Sequence, residues 1–200
     1  MRVRFKRGGA LNMVHAKGPG PPARRTLRVR VRVILSYAHR DEKLRDELAK
    51  HLAALRRSAV IDIWYDRKIA PGDEFDRDIL QQLQNSDLVL LLISPDFMNS
   101  DYCYLREMRI ALRRHAKGQA RVIPIILRPV DWHGTPIGKL SALPKDGKPV
   151  TTWRRRDEAL LDVAKGVRRA AEQLRHHRSQ RIATWQKHKR KEIRTGTQAA

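Results

Sequence analysis

Leu88-Val-Leu-Leu-Leu-Ile93 runs directly into Ser94-Pro-Asp-Phe-Met-Asn-Ser-Asp-Tyr-Cys-Tyr-Leu-Arg-Glu-Met-Arg-Ile-Ala-Leu112. Six consecutive apolar residues without polar alternation describe a strand buried on both faces, as in parallel sheets covered by helices. Pro95 and Asn99-Ser100 then turn the chain into a helix reaching about His115, which carries one acid, Glu107, among apolar and aromatic neighbours. An acid just beyond the carboxyl end of a buried parallel strand lies where open α/β sheets place their ligands.

The flanking segments repeat the same unit. Upstream, Leu27, Val29, Val31 and Val33 alternate and continue through Ile34-Leu35 into Ser36-Tyr37, which predicts a first strand. Asp41 to Leu55 follows with Leu44, Leu48, Leu52 and Leu55 at helical spacing, and Asp41 with Arg45 reads as a supporting pair on its wet face. Val60 to Tyr65 is a second strand, and Asp66 to Glu74 is a loop turning at Pro71-Gly72. A helix with Phe75, Ile79, Leu80 and Leu83 on its buried side leads back to Leu88.

Downstream, Val122 to Leu127 predicts a fourth strand in which Pro124 lacks a ladder donor, marking an edge or a bulge. A long loop from Arg128 to Lys148 precedes a short fifth strand, Val150 to Trp153, and a last core helix from Asp157 to Leu174. Strands alternating with helices predict a parallel sheet with helices on both faces.

Charge is distributed unevenly. The 200 residues carry a formal net charge of +22. Residues 1–32 hold ten Lys or Arg and no acid, and residues 175–200 hold eight against Glu192, so the stretch between is nearly balanced. The chain therefore reads as a disordered basic leader over 1–27, a globular domain over 28–175 and a frayed, basic helical extension over 176–200. Met13 is a second candidate start within that leader. The ends read first as solvated extensions, because no aromatic interleaving or recognised fold accompanies them, with nucleic acid or an acidic membrane as the less favoured partner of the basic tails. One cysteine, Cys103, excludes an intrachain disulfide framework and a thiolate-rich zinc site and fits a cytoplasmic setting. No apolar run approaches the roughly 20 residues of a membrane span.

Several chemistries lack their motifs. No Gly-x-Gly-x-x-Gly follows the first strand, no His or Cys cluster has metal-ligand spacing, and no Gly-x-Ser-x-Gly elbow is present. Gly134-Thr-Pro-Ile-Gly-Lys139 is one residue short of a phosphate loop and joins no strand to a helix.

Four blocks carry a resemblance: Ile34-Leu-Ser-Tyr-Ala-His-Arg-Asp-Glu42, Trp64-Tyr-Asp-Arg-Lys-Ile-Ala-Pro-Gly-Asp-Glu74, Leu91-Leu-Ile-Ser-Pro-Asp-Phe97 and Tyr102-Cys-Tyr-Leu-Arg-Glu107. In this order and spacing they resemble the Toll/interleukin-1 receptor (TIR) domain family in its bacterial branch, over about residues 29–175. The resemblance implies a flavodoxin-like α/β fold with a five-stranded parallel sheet in the order 2-1-3-4-5. Its crevice would gather Ser36, Tyr37, the Asp66–Glu74 loop and the Glu107 helix.

It also implies two alternative activities. Many members are NAD⁺ glycohydrolases releasing nicotinamide, with ADP-ribose or a cyclic isomer as the other product. Others are non-catalytic adaptors that signal through TIR–TIR homo- or hetero-oligomers. Glu107 matches the catalytic glutamate, and NAD⁺ would be substrate, with no metal or cofactor required. Ser36, Tyr37, Asp66, Arg67, Cys103 and Tyr104 match substrate-binding positions, and Lys68, Ile69, Pro71 and Gly72 match the interface, or BB, loop. Catalytic members often carry tryptophan four residues before the glutamate, whereas this chain has Cys103 between Tyr102 and Tyr104.

Overall fold

Leu88–Ile93 is the centre of the sheet, β3, and all six of its side chains are fully buried. The computed structural model describes residues 30–65, 75–100 and 106–196. Within them β3 lies between β1 (Val31–Ser36) and β4 (Arg121–Ile126), with β2 (Ile61–Trp64) outside β1. Every pairing is parallel, in the order β2-β1-β3-β4. Strand order reverses between β1 and β3, which makes the carboxyl ends of those two strands the switch point.

Side chains of a strand alternate faces, so β3 feeds two cores at once. Leu88, Leu90 and Leu92 pack with α1 (Glu42–His51), α2 (Ala53–Arg57) and α6 (Arg156–Gly196) through Leu48, Leu52, Leu55, Val163 and Val167. Val89, Leu91 and Ile93 pack on the other side, against α3 (Phe75–Asn85), α4 (Pro95–Asn99) and α5 (Met108–Ala116) through Leu83, Phe97, Met108 and Ala111. Each such leucine contributes roughly 1.5–3 kcal/mol by leaving water. That two-sided burial is why the strand reads as an uninterrupted apolar run, and the flavodoxin-like α/β class holds.

Two local expectations change. The fifth strand expected at Val150–Trp153 is a 3-10 turn, Val150–Thr152. Val150 is fully buried against the core, and the turn meets the strand layer through the Thr151 amide and the Leu127 carbonyl at 3.0 Å. Beside β4 stands a single parallel bridge, Ile125 to Leu143, in which Leu143 donates to the Pro124 carbonyl and accepts from the Ile126 amide. Residues 124 and 126 present their backbone to the same side, so the donor that Pro124 lacks belongs to the outer edge of β4, away from β3. The edge position expected for that proline is what the structure shows.

The expected Asp41–Leu55 helix is divided. Asp41 closes a 3-10 turn (His39–Asp41), and Leu52 separates α1 from α2. The extension expected past Leu174 is helical and continuous with the last core helix. Among the described side chains the buried positions of α6 end at Ala171, yet the helix runs on to Gly196 with a basic sequence. The leader, residues 1–27, lies outside the described residues.

Candidate active site at the carboxyl edge of the sheet

Five of the six buried polar or charged side chains among the described residues, Ser36, Asp41, Arg45, Ser94 and Glu107, lie at or beyond the carboxyl ends of β1 and β3. Ser86 is the sixth, before β3. Burying polar groups is costly unless they are bonded, so their concentration at one edge marks a built polar site.

Its framework is a network linking three strand ends. Ser94 follows β3 and caps α4, accepting the Phe97 amide at 3.0 Å. The same hydroxyl donates to Asp41, which is 1% exposed in the turn after β1. Arg128, just beyond β4, donates through Nε to Asp41 at 2.9 Å and through Nη2 to Asp96. Arg40 approaches the other oxygen of Asp96 at 3.7 Å. The Arg128 guanidinium is held above its ordinary pKa, chiefly by its hydrogen bond to Asp96 and then by Asp41, against the opposing effect of burial.

A second device ties β1 to β2. Arg45 of α1 is fully buried, with its guanidinium 4.6 Å from the Tyr37 ring and 4.4 Å from the Tyr65 ring. Glu42 and Asp46 meet its Nη2 and Nε at 3.0 and 3.1 Å. Cation–π contact with two rings gains strength where water is excluded. Tyr37 and Tyr65 are the residues that leave β1 and β2, so Arg45 fixes the position from which the chain departs towards residue 66. Asp41 and Arg45 thus belong to the interior and not, as their helical spacing suggested, to a wet helix face.

Against this framework stand the residues singled out in the sequence. Ser36 ends β1, is 2% exposed, and its Oγ has no hydrogen-bond partner among the described residues. Tyr37 is buried beside it. Glu107 is 5% exposed on a π-type turn that enters α5, immediately before buried Met108. Such turns widen the helix and recur at functional sites. Glu107 is more deeply buried than a helix-surface acid, and it takes part in a polar interaction, so it is not the partnerless carboxylate that its chain neighbours suggested. Asp66, Arg67, Lys68, Ile69, Pro71, Gly72, Cys103 and Tyr104 lie outside the described residues. Among the described residues no group of three or more His, Cys, Asp or Glu side chains is placed to hold a metal ion.

The structure adds Asp41, Ser94, Asp96, Arg128, Arg45 and Tyr65 to the residues that shape this edge. No signal along the chain pairs Asp41 with partners 53 and 87 residues away. The apparent phosphate loop at Gly134–Lys139 is instead a 3-10 turn, Pro136–Lys139, and a Cβ on Gly138 would meet the His133 carbonyl oxygen at 2.0 Å. Its glycine serves close backbone approach.

Comparison with known proteins supplies the relationship. The family model described as "TIR domain" matches residues 33–161. The uncharacterized protein y4lF of Sinorhizobium fredii is 54% identical over 139 residues, which are 70% of this chain and 43% of that protein. The chain therefore spans less than half the length of that relative. Two solved structures are also similar. One is the TIR domain of the Toll-related receptor TRR-2 of Hydra magnipapillata, with a TM-score of 0.46 and 24% identity over 56% of this chain and 81% of that one. The other comprises the TIR domains of the activated Roq1 resistosome that directly recognizes the pathogen effector XopQ, with a TM-score of 0.40 and 26% identity over 48% of this chain and 56% of that one. Because the family match extends from β1 across the sheet into the first turns of α6, the chain belongs to the TIR-domain family, in its bacterial branch.

Proposed function

We propose that this domain cleaves NAD⁺ at the bond between nicotinamide and ribose, with Glu107 as the catalytic carboxylate. The observation that carries the reading is the burial of Glu107, 5% exposed, on the segment leaving β3 at the switch point. Ser36, across that point at the end of β1, holds a buried hydroxyl with no bonded partner among the described residues.

The chemistry requires little else. Nicotinamide leaves from a ring that is already cationic, so the C–N bond breaks towards neutral nicotinamide without the general acid that ordinary glycosides need. Positive charge develops on the ribose, and a carboxylate placed beside it stabilises that oxocarbenium-like state electrostatically. Water then adds to the anomeric carbon and loses a proton, giving ADP-ribose. Attack from within the same molecule gives a cyclic isomer instead. Substrate phosphates are anionic, so the positive field of the chain assists their capture.

Family resemblance supports the matching roles of Tyr37, Asp66, Arg67, Cys103 and Tyr104 at the substrate, and of Lys68, Ile69, Pro71 and Gly72 in TIR–TIR assembly. A cytoplasmic role in bacterial signalling or defence fits such an enzyme, and no helix among the described residues is long and apolar enough to cross a membrane. Replacement of the usual tryptophan by Cys103, between Tyr102 and Tyr104, favours a second reading: a non-catalytic adaptor working through TIR–TIR contacts.

The discriminating experiment follows nicotinamide release from NAD⁺ by the concentrated protein and by Glu107→Gln. Release that falls at least a hundredfold in the variant, with the fold retained, is expected. No release at any protein concentration selects the adaptor, and equal release by the variant removes Glu107 from the mechanism.

A further inference from the structure

A second cleft, of about 450 Å³, opens at the opposite edge of the sheet, where β1, β3 and β4 begin. Asp87, His115, Arg121, Arg175, Arg178 and Arg181 line it. Among the described residues Asp87 is the one lining carboxylate, and it is already engaged, by Arg32 at 3.1 Å and by Arg178 at 3.6 Å. The Arg32 guanidinium is held above its ordinary pKa chiefly by that hydrogen bond to Asp87. Arg121 turns to a neutral partner, the Gln173 amide oxygen at 2.6 Å. Among the described residues no carboxylate pairs with Arg121, Arg175 or Arg181.

From this cleft α6 continues as a helix of basic sequence. From Arg175 to Gly196 α6 projects beyond the core for 22 residues, about 33 Å at 1.5 Å per residue. Residues 175–196 carry eight Lys or Arg against Glu192. Arg181 also lines a shallow groove with Trp185, whose exposed ring lies 4.9 Å from the Lys189 ammonium. Residues 1–32 hold ten Lys or Arg and no acid, and Val31, where β1 begins, lines the same cleft.

We propose that this amino-edge surface binds the phosphate backbone of double-stranded nucleic acid. Planar guanidinium groups match phosphate oxygens through paired hydrogen bonds, and arginines without carboxylate partners around a concave cleft are arranged for such anions. The basic length of α6 is close to one turn of a duplex, about 34 Å. An anionic membrane fits less well. A helix lying in a bilayer interface needs a sustained apolar face, and among the described side chains beyond Leu174 the large exposed apolar ones are Ile182 and Trp185. The site stands apart from the Glu107 edge, so it adds a second binding function and does not depend on NAD⁺ cleavage.

The test uses the full chain and a labelled duplex DNA of mixed sequence, with anisotropy followed across a salt series. Binding should weaken linearly in log–log salt, with little dependence on base sequence. Arg175→Gln/Arg178→Gln/Arg181→Gln should weaken binding at least tenfold at about 0.1 M salt and flatten the slope by roughly 0.9 for each phosphate no longer neutralised. A control of equal charge, Lys145→Gln/Arg154→Gln/Arg155→Gln, places its changes ahead of α6, which begins at Arg156, and should stay within twofold of the parent. Equal weakening in both triple variants overturns the site, because net charge alone would then account for binding. Parent-like binding by the first triple variant overturns it too, as does binding to phosphatidylserine vesicles without binding to DNA.

Discussion

The Ser94 hydroxyl donates to the buried carboxylate of Asp41, joining the residue that follows β3 to the turn that follows β1 across the switch point. One hydroxyl also accepts the Phe97 amide, so it caps α4 and satisfies a buried acid together. Ser94→Ala removes both functions and should cost about 1–3 kcal/mol in urea unfolding. Asp41→Asn retains the shape but weakens the charge-assisted bonds. The two substitutions share partners, so a double-mutant cycle should return a coupling of at least about 0.5 kcal/mol. Additive losses would mean that the bond carries no energy of its own.

Arg128 spans two acids with two different nitrogens, which lysine cannot do from a single point charge. Arg128→Lys should therefore destabilise the domain by about 1–2 kcal/mol, with Asp41 keeping one donor fewer. The folded-state pKa of Arg128 is raised, so its contribution is fully present below the ordinary guanidinium value and is lost only as pH rises through the folded one. The gap between parent and variant should accordingly stay constant from pH 7 to about 9, measured by urea melts. A gap that closes within that window would place the energetics on another group.

How far the chain could be read depended on whether the signal was local. β3 and the helices around it were legible because period and burial act on neighbours: six apolar residues in a row have few alternatives. Val150–Trp153 has the β-branched composition of a strand, yet only its Thr151 amide reaches the Leu127 carbonyl, and Val150 serves as a core plug on a 3-10 turn. Asp41 and Arg45 looked exposed because helical spacing compares a residue with its chain neighbours, whereas Ser94, Arg128 and Tyr65 arrive from distant strands. Glu107 could be chosen from the sequence because an acid among apolar residues after a buried strand is a local anomaly. Its depth of burial and its π-type turn were not local properties.

Ser36 separates a ligand-facing role from a structural one. Its Oγ is buried with no partner among the described residues, so Ser36→Ala gives up no hydrogen bond there and removes a desolvated polar atom. Stability should be unchanged or rise by up to about 1 kcal/mol. If the hydroxyl serves bound NAD⁺, kcat/KM for nicotinamide release should fall by roughly tenfold, the equivalent of one hydrogen bond. A clear loss of stability in thermal melts, without loss of turnover, would assign the hydroxyl to the fold.

Two helix ends use the same geometry with different residues. After α5, Gly118 at φ 64° sends its amide to the His115 carbonyl, and Gln119 bonds Arg114. After α2, Ala59 at φ 54° bonds the Arg56 carbonyl, and Val60 bonds Leu55. Both are Schellman closures, which favour glycine because a Cβ in left-handed backbone costs about 1–2 kcal/mol. Ala59→Gly should relieve that strain, partly offset by the greater freedom of glycine in the unfolded chain, for a net gain of about 0.5–1 kcal/mol. Gly118→Ala, where a Cβ meets nothing within 4 Å, should lose a similar amount through backbone strain alone. The pair is therefore a matched test by urea unfolding: opposite signs at the two ends are expected, and equal signs would show that packing beyond the cap decides these positions.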